Sequence, residues 1–146
     1  MDAMSCTLIG LAVETLPLHR LPLVQARVPG GFPSPAEDYL EGTLKLDELL
    51  VKHPAATFLM RVEGDSMIGA GIHDGDLIVV DRAIEPVTGK IVVAVLDGAF
   101  FVKRIVVRGD RCFLCSENPK FKDVEVGEWA SLDVWGVVTN VIHALK

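Results

Sequence analysis

The sequence predicts a mostly β domain, a compact antiparallel barrel or sandwich with one short helix and an extended N-terminal arm. Three observations point there. From about Leu44 onward the apolar residues come in short, strand-length runs bounded by Gly, Asp and Pro. Asp97-Gly98 lies between two such runs, and this dipeptide is the strongest short hairpin signal a sequence offers. Half of the 146 residues are apolar and 23% are charged, a balance that supports one packed core and excludes disorder as the ground state.

The elements follow in order. Residues 1–43 carry Pro17, Pro22, Pro29, Pro33 and Pro35, a density that disfavours continuous helix and central strand alike. Arg27 to Pro35 reads as an extended linker with two adjacent glycines, Gly30 and Gly31. Leu44, Leu46, Leu49 and Leu50 fit a short amphipathic turn or helix that His53-Pro54 ends. Thr57 to Val62 reads as a strand, and Leu77 to Val80 as another behind the turn Asp74-Gly75-Asp76. Ile91 to Leu96 and Ala99 to Val107 form the hairpin around Asp97-Gly98, Cys112 to Leu114 is a short strand, and Asp133 to Ala144 closes the chain. There is no internal repeat.

Charge and composition narrow the function. Lys plus Arg number 14 against 20 Asp plus Glu, a net charge of −6. That argues against a duplex-DNA binder held by many phosphate contacts, since only Lys103, Arg104, Arg108 and Arg111 form a dense basic group. No apolar run approaches the ~18–20 residues of a membrane span, and Asp2 and Glu14 spoil the pattern of a signal peptide. Cys6, Cys112 and Cys115 are too few and too odd for a disulfide framework, so a reduced, cytoplasmic protein is expected. No metal or cofactor is called for. Cys112-Phe113-Leu114-Cys115 is a lone C-x-x-C whose sulfurs would point to opposite faces of a strand, as buried structural thiols. Asp74, Asp76 and Asp81 lack a calcium-loop pattern and read as turn and surface residues. His19, His53, His73 and His143 stand in no recognisable base context, so a Ser–His–Asp triad is not expected.

Two residues could carry chemistry. Ser66, in Gly64-Asp65-Ser66-Met67, opens a loop behind a strand, where its Oγ can be presented while backbone N–H groups converge. The plainer reading is a turn serine, and Ile68 replaces the second glycine of a hydrolase elbow. Lys103 shares a strand face with Phe101 and Ile105. Burial there would disfavour its ammonium and make it a general base near neutral pH. The plainer reading is an edge lysine reaching out to water.

Together, Gly64-Asp65-Ser66-Met67, Asp74-Gly75-Asp76-Leu77-Ile78-Val79-Val80-Asp81 and Phe101-Val102-Lys103-Arg104 resemble the Ser–Lys self-cleaving (S24) peptidase domain shared by LexA, phage repressors and UmuD, with the lysine 37 positions after the serine. Ser116-Glu117-Asn118-Pro119 and Leu132 to Val138 resemble its closing segments. Gly31-Phe32-Pro33-Ser34-Pro35-Ala36 with Asp38-Tyr39 is similar to the segment after the cleaved bond of UmuD-like members. The 30 residues before Gly31, with three prolines, cannot build a helix-turn-helix domain.

The resemblance implies a division into a regulatory arm (1–30) removed by self-cleavage, a Pro-rich linker (31–43) and a Ser–Lys peptidase and dimerisation domain (44–146). It implies Ser66 as nucleophile, Lys103 as base, backbone N–H groups of Asp65 and Ser66 as oxyanion donors, and Gly30–Gly31 as the bond cut. Gly30 stands where the family carries Cys or Ala, and Pro29 lacks an N–H for a cleft edge. Both should affect rate more than the bond chosen. The implied role is in the SOS response: a RecA–single-stranded DNA filament stimulates cleavage, and residues 31–146 act as a homodimer with a UmuC-type Y-family translesion polymerase. Val134 to Leu145 would serve either as a pairing surface or as an ordinary core strand. No direct specific DNA binding and no membrane contact are implied. The alternatives are a non-catalytic binding module on the same fold, a repressor-like peptidase with a separate DNA-binding partner, and a type I signal peptidase, which would need a membrane anchor.

Overall fold

The computed structural model describes residues 5–11, 21–24, 40–127 and 132–145. The expected strands form. Thr57–Glu63 is β4, Leu77–Asp81 is β5, Ile91–Leu96 is β6, Ala99–Arg108 is β7, Arg111–Cys115 is β8 and Asp133–Ile142 is β10. The β6–β7 loop is the two-residue turn foreseen from Asp97-Gly98. Leu96 pairs with Ala99, and Asp97 (φ 50°) and Gly98 (φ 78°) both adopt the left-handed backbone that such a turn demands.

Four short strands lie outside the sequence expectation: Ser5–Leu11 (β1), Leu21–Val24 (β2), Leu40–Leu44 (β3) and Val124–Glu125 (β9). β1 pairs antiparallel with β4, from Ser5–Glu63 to Leu11–Phe58. Proline density in residues 1–43 begins only at Pro17, so nothing in β1 obstructs a ladder. β2 does contain a proline, Pro22, and it pairs only with β3 in a separate two-stranded ribbon. A strand with one partner can spare an N–H.

The main sheet runs β1-β4-β5-β10-β6-β7-β8-β9, each neighbour antiparallel, and curls until Ser5 of β1 meets Phe101 of β7. That single pair is not a ladder, so the barrel stays unclosed. β10 is hydrogen-bonded to β5 on one side and β6 on the other. The Val-rich final strand is therefore flanked on both sides only around Val137: Asp133 to Val137 pair with β6, and Val137 to Ile142 with β5.

Two apolar clusters occupy the two sides of β6 and β7. Met60, Val62, Met67, Ile72, Ile78, Val80, Val93 and Val102 form one, and Val92, Ala94, Ile105, Cys112, Leu114 and Val137 the other. Strand alternation makes this division: Val93 pairs with Val102, and Val92 with Lys103. Leu46–Leu50 (α1) is the short helix, but Leu46 and Leu49 are exposed, so its amphipathic face does not seal the core. No helix among the described residues is long and apolar enough to cross a membrane.

Gly136 marks the tightest crossing of β10 and β5. A Cβ there would lie 2.6 Å from Val80 Cγ1, a fully buried core atom. Gly136→Ala is expected to destabilise the domain by about 1–3 kcal/mol through overpacking, read as a lower urea midpoint with an unchanged slope.

Candidate functional site

Ser66 lies where β4 ends and the chain turns back. Gly64 (φ 97°) makes the turn, and its N–H donates to Asp74 Oδ1 at 2.8 Å. The 74–76 turn is laced to β4 by Gly75 N–H to the Val62 carbonyl (2.8 Å) and Val62 N–H to the Asp76 carbonyl (2.9 Å). Beyond Ser66 a 3-10 turn, Ile68–Ala70, ends at left-handed Gly71. Ser66 and Met67 are fully buried. The serine is therefore held in a rigid corner rather than an open loop.

Lys103 sits in the middle of β7, 1% exposed, on the side of the sheet that carries Val92 and Ile105. Its Nζ donates to Ser116 Oγ at 2.5 Å and lies 5.7 Å from the centre of the Phe121 ring. Burial lowers its pKa from the ordinary lysine value, against the opposing pull of Asp123 and Cys115. Burial in turn pushes the Cys115 thiol up to about 11, with Asp123 adding to the shift.

Three successive residues after β8 join these two places. Ser116 holds the Lys103 amine. Glu117 N–H donates to the Ser66 carbonyl (2.8 Å), and the Glu117 carbonyl accepts from Gly69 N–H (2.7 Å). Asn118 Nδ2 donates to the Asp65 carbonyl at 2.9 Å. Arg104, next to Lys103, clamps the Glu117 carboxylate through Nε, 2.5 Å away. The segment that carries the lysine's hydroxyl partner thus also fixes the backbone of Asp65 and Ser66. In the sequence, Ser116 and Asn118 are marked only by their place in Ser116-Glu117-Asn118-Pro119. Their roles arise from contacts 13 and 53 positions away along the chain.

Gly69 permits this closeness, because a Cβ there would meet the Glu117 carbonyl oxygen at 2.6 Å. That atom belongs to backbone and cannot swing aside. Gly69→Ala is expected to push residues 116–118 off the Ser66 corner and slow any Ser66-dependent reaction at least tenfold, measured as a rate on variant protein shown by circular dichroism to be folded.

Two of the aspartates depart from expectation. Asp76 and Asp81 are buried rather than on the surface. His53 Nδ1 lies 2.6 Å from Asp81 Oδ2, and His143 Nδ1 2.5 Å from Asp76 Oδ1, with the His73 and His143 rings packed together. Burial would raise the Asp76 pKa, but hydrogen bonds from the His73 N–H and the His143 ring outweigh it and hold it below the usual value. These pairs bind strand ends to turns. Cys112 and Cys115 are both buried and free, and no cluster suited to a metal ion occurs among the described residues. Gly30 and Gly31 lie outside the described residues.

Comparison with known proteins decides the family. Residues 22–139 match the family described as Peptidase S24-like. The chain belongs to that family. Among its S24 relatives, the SamA protein of Salmonella typhimurium (strain LT2) is 47% identical over 140 residues, 95% of this chain and 97% of SamA. The MucA protein of Escherichia coli is 42% identical over 127 residues, 84% of each chain. The LexA repressor of Mannheimia succiniciproducens is 38% identical over 125 residues, 84% of this chain but 58% of the repressor. The chain is thus a UmuD-like S24 protein of the SOS mutagenesis group, within a family of self-cleaving serine peptidases.

Proposed function

We propose that this S24 protein is an autoproteolytic serine endopeptidase in which Ser66 and Lys103 form the catalytic dyad. The observation that carries the reading is a lysine buried mid-strand, its pKa lowered, bound to a segment that also clasps the backbone of Ser66. A dry amine gives up its proton more readily than a hydrated one and can act as a base. Neutral Lys103 takes the proton of Ser66 Oγ as that oxygen attacks the Gly30 carbonyl carbon. Backbone N–H groups of Asp65 and Ser66 receive the developing oxyanion. Lys103, now an ammonium, returns the proton to the amine of Gly31 as the peptide bond breaks. Water then hydrolyses the acyl-enzyme.

In this reading the arm 1–30 is the regulatory piece. A RecA–single-stranded DNA filament stimulates cleavage, and the product 31–146, as a homodimer, serves a UmuC-type Y-family polymerase in translesion synthesis. The acidic chain meets DNA through those partners. Incubating the pure protein at alkaline pH and weighing the products tests the enzymatic part. Fragments 1–30 and 31–146 are expected, and an intact chain after prolonged incubation with RecA filaments would favour a non-catalytic binding module. Co-purification of residues 31–146 with the polymerase tests the partner.

A further inference from the structure

We infer that Ser116 is a positioning residue for Lys103: its hydroxyl holds the ε-amine so that the nitrogen lone pair faces Ser66. The inference rests on the Ser66–Lys103 dyad and adds a third side chain to it. A lysine side chain has four rotatable bonds, and holding it in one rotamer costs up to about 2 kcal/mol of entropy. Apolar walls such as Phe121 and Val92 restrict it without aiming its nitrogen. Ser116 Oγ, 2.5 Å from Nζ, supplies direction.

The proton inventory gives that direction meaning. A neutral amine has two N–H bonds and one lone pair. Donating an N–H to Ser116 Oγ leaves the lone pair for the Ser66 proton, and after transfer the ammonium keeps the same bond to Ser116. Position is transmitted as well as orientation, because Glu117, the next residue, binds the Ser66 carbonyl. Ser116 and the nucleophile's backbone are therefore fixed by adjacent peptide units. The titratable and charged groups that act on Lys103 are the Asp123 carboxylate and the Cys115 thiol, with the Arg104–Glu117 pair beside them.

Thr and Val have nearly the same shape and differ in the hydroxyl, so Ser116→Thr and Ser116→Val separate positioning from packing, and Ser116→Ala serves as a third variant should Val misfold. Self-cleavage rates are measured from pH 6 to 11 on protein shown by circular dichroism to be folded, with wild type and Lys103→Ala in the same series. Ser116→Thr is expected within about threefold of wild type. Ser116→Val and Ser116→Ala are expected to lose at least tenfold on the alkaline plateau, as a misplaced catalytic group does. Their pH–rate midpoint should also move to lower pH, because an acceptor that stabilised the ammonium is gone. Wild-type rates and midpoint in Ser116→Val or Ser116→Ala overturn the inference, as do equal losses in Thr and Val. A wild type that does not cleave, or a Lys103→Ala variant that cleaves equally, sinks the dyad itself and is told apart by those two controls.

Discussion

Replacing either Ser66 or Lys103 with alanine is expected to abolish self-cleavage. Ser66→Ala removes the only oxygen the proposed acyl-enzyme can form on. Lys103→Ala leaves the hydroxyl with bulk-like acidity in a fully buried corner, and a positioned general base contributes about 10²–10⁴-fold. Lys103→Arg separates charge from basicity. A guanidinium stays protonated at all accessible pH values, so this variant keeps a cation and should be as inactive as the alanine variant. The measurement is intact mass against time at pH 9, with circular dichroism to confirm that each variant is folded. Cleavage of Lys103→Arg at the wild-type rate would remove the proton-transfer step from the mechanism.

The second large effect is on pH. The active form has a neutral amine, so below the lowered Lys103 pKa the cleavage rate should rise about tenfold per pH unit and then level off. Stability follows the same group. Its folded pKa lies below the ordinary 10.5, so between the two values the unfolded chain binds more protons than the folded one. Unfolding free energy therefore rises with pH across that window, and buried Lys103 costs the fold most at lower pH. Lys103→Met keeps the length and removes the amine. It should raise Tm by roughly 3–5 °C at neutral pH, about 1 kcal/mol, with a smaller gain above pH 10. Differential scanning fluorimetry at pH 6, 8 and 10.5 checks the sign. A loss of stability at pH 6 would mean the amine is well satisfied as a cation.

Much of the fold was legible because its signals are local. The β-branched runs from Thr57 onward and the Asp97-Gly98 turn reported β4 to β8 and β10 almost to the residue. β1 has no such local signal: it lies in an arm dense in proline from Pro17 onward, although Ser5–Leu11 itself contains none. The exposed Leu46 and Leu49 show the converse, an apolar spacing with nothing packed against it. Burial of Lys103 could be anticipated from its flanking Phe101 and Ile105. Its link to Ser116 continues the β7–β8 register beyond Arg104–Cys115, and the pairing of His143 with Asp76 across 67 positions continues the β10–β5 register beyond Ile142–Leu77. Both follow from strand pairing and not from the residues' own neighbours in sequence. Even the two-residue strand β9 depends on β8 as its template, which is why Val124-Glu125 alone predicts nothing.

The site also illustrates how a fold can spend stability on function. The apolar neighbours of Lys103, Phe121 and Val92, would pack as well against a methionine, which could not donate to Ser116 Oγ as the amine does, and segment 116–118 brings further polar groups to the same place. Natural proteins retain such arrangements where a perturbed group has a task.

The protonation state of that one side chain is open to direct observation. In a Ser66→Ala protein labelled with 13C at lysine Cε, the Lys103 signal can be identified by its absence from the Ser66→Ala, Lys103→Met double variant, and then followed from pH 6 to 12. A titration midpoint clearly below that of the surface lysines is the expected result; a midpoint at or above theirs would show a hydrated, charged amine and contradict the dyad.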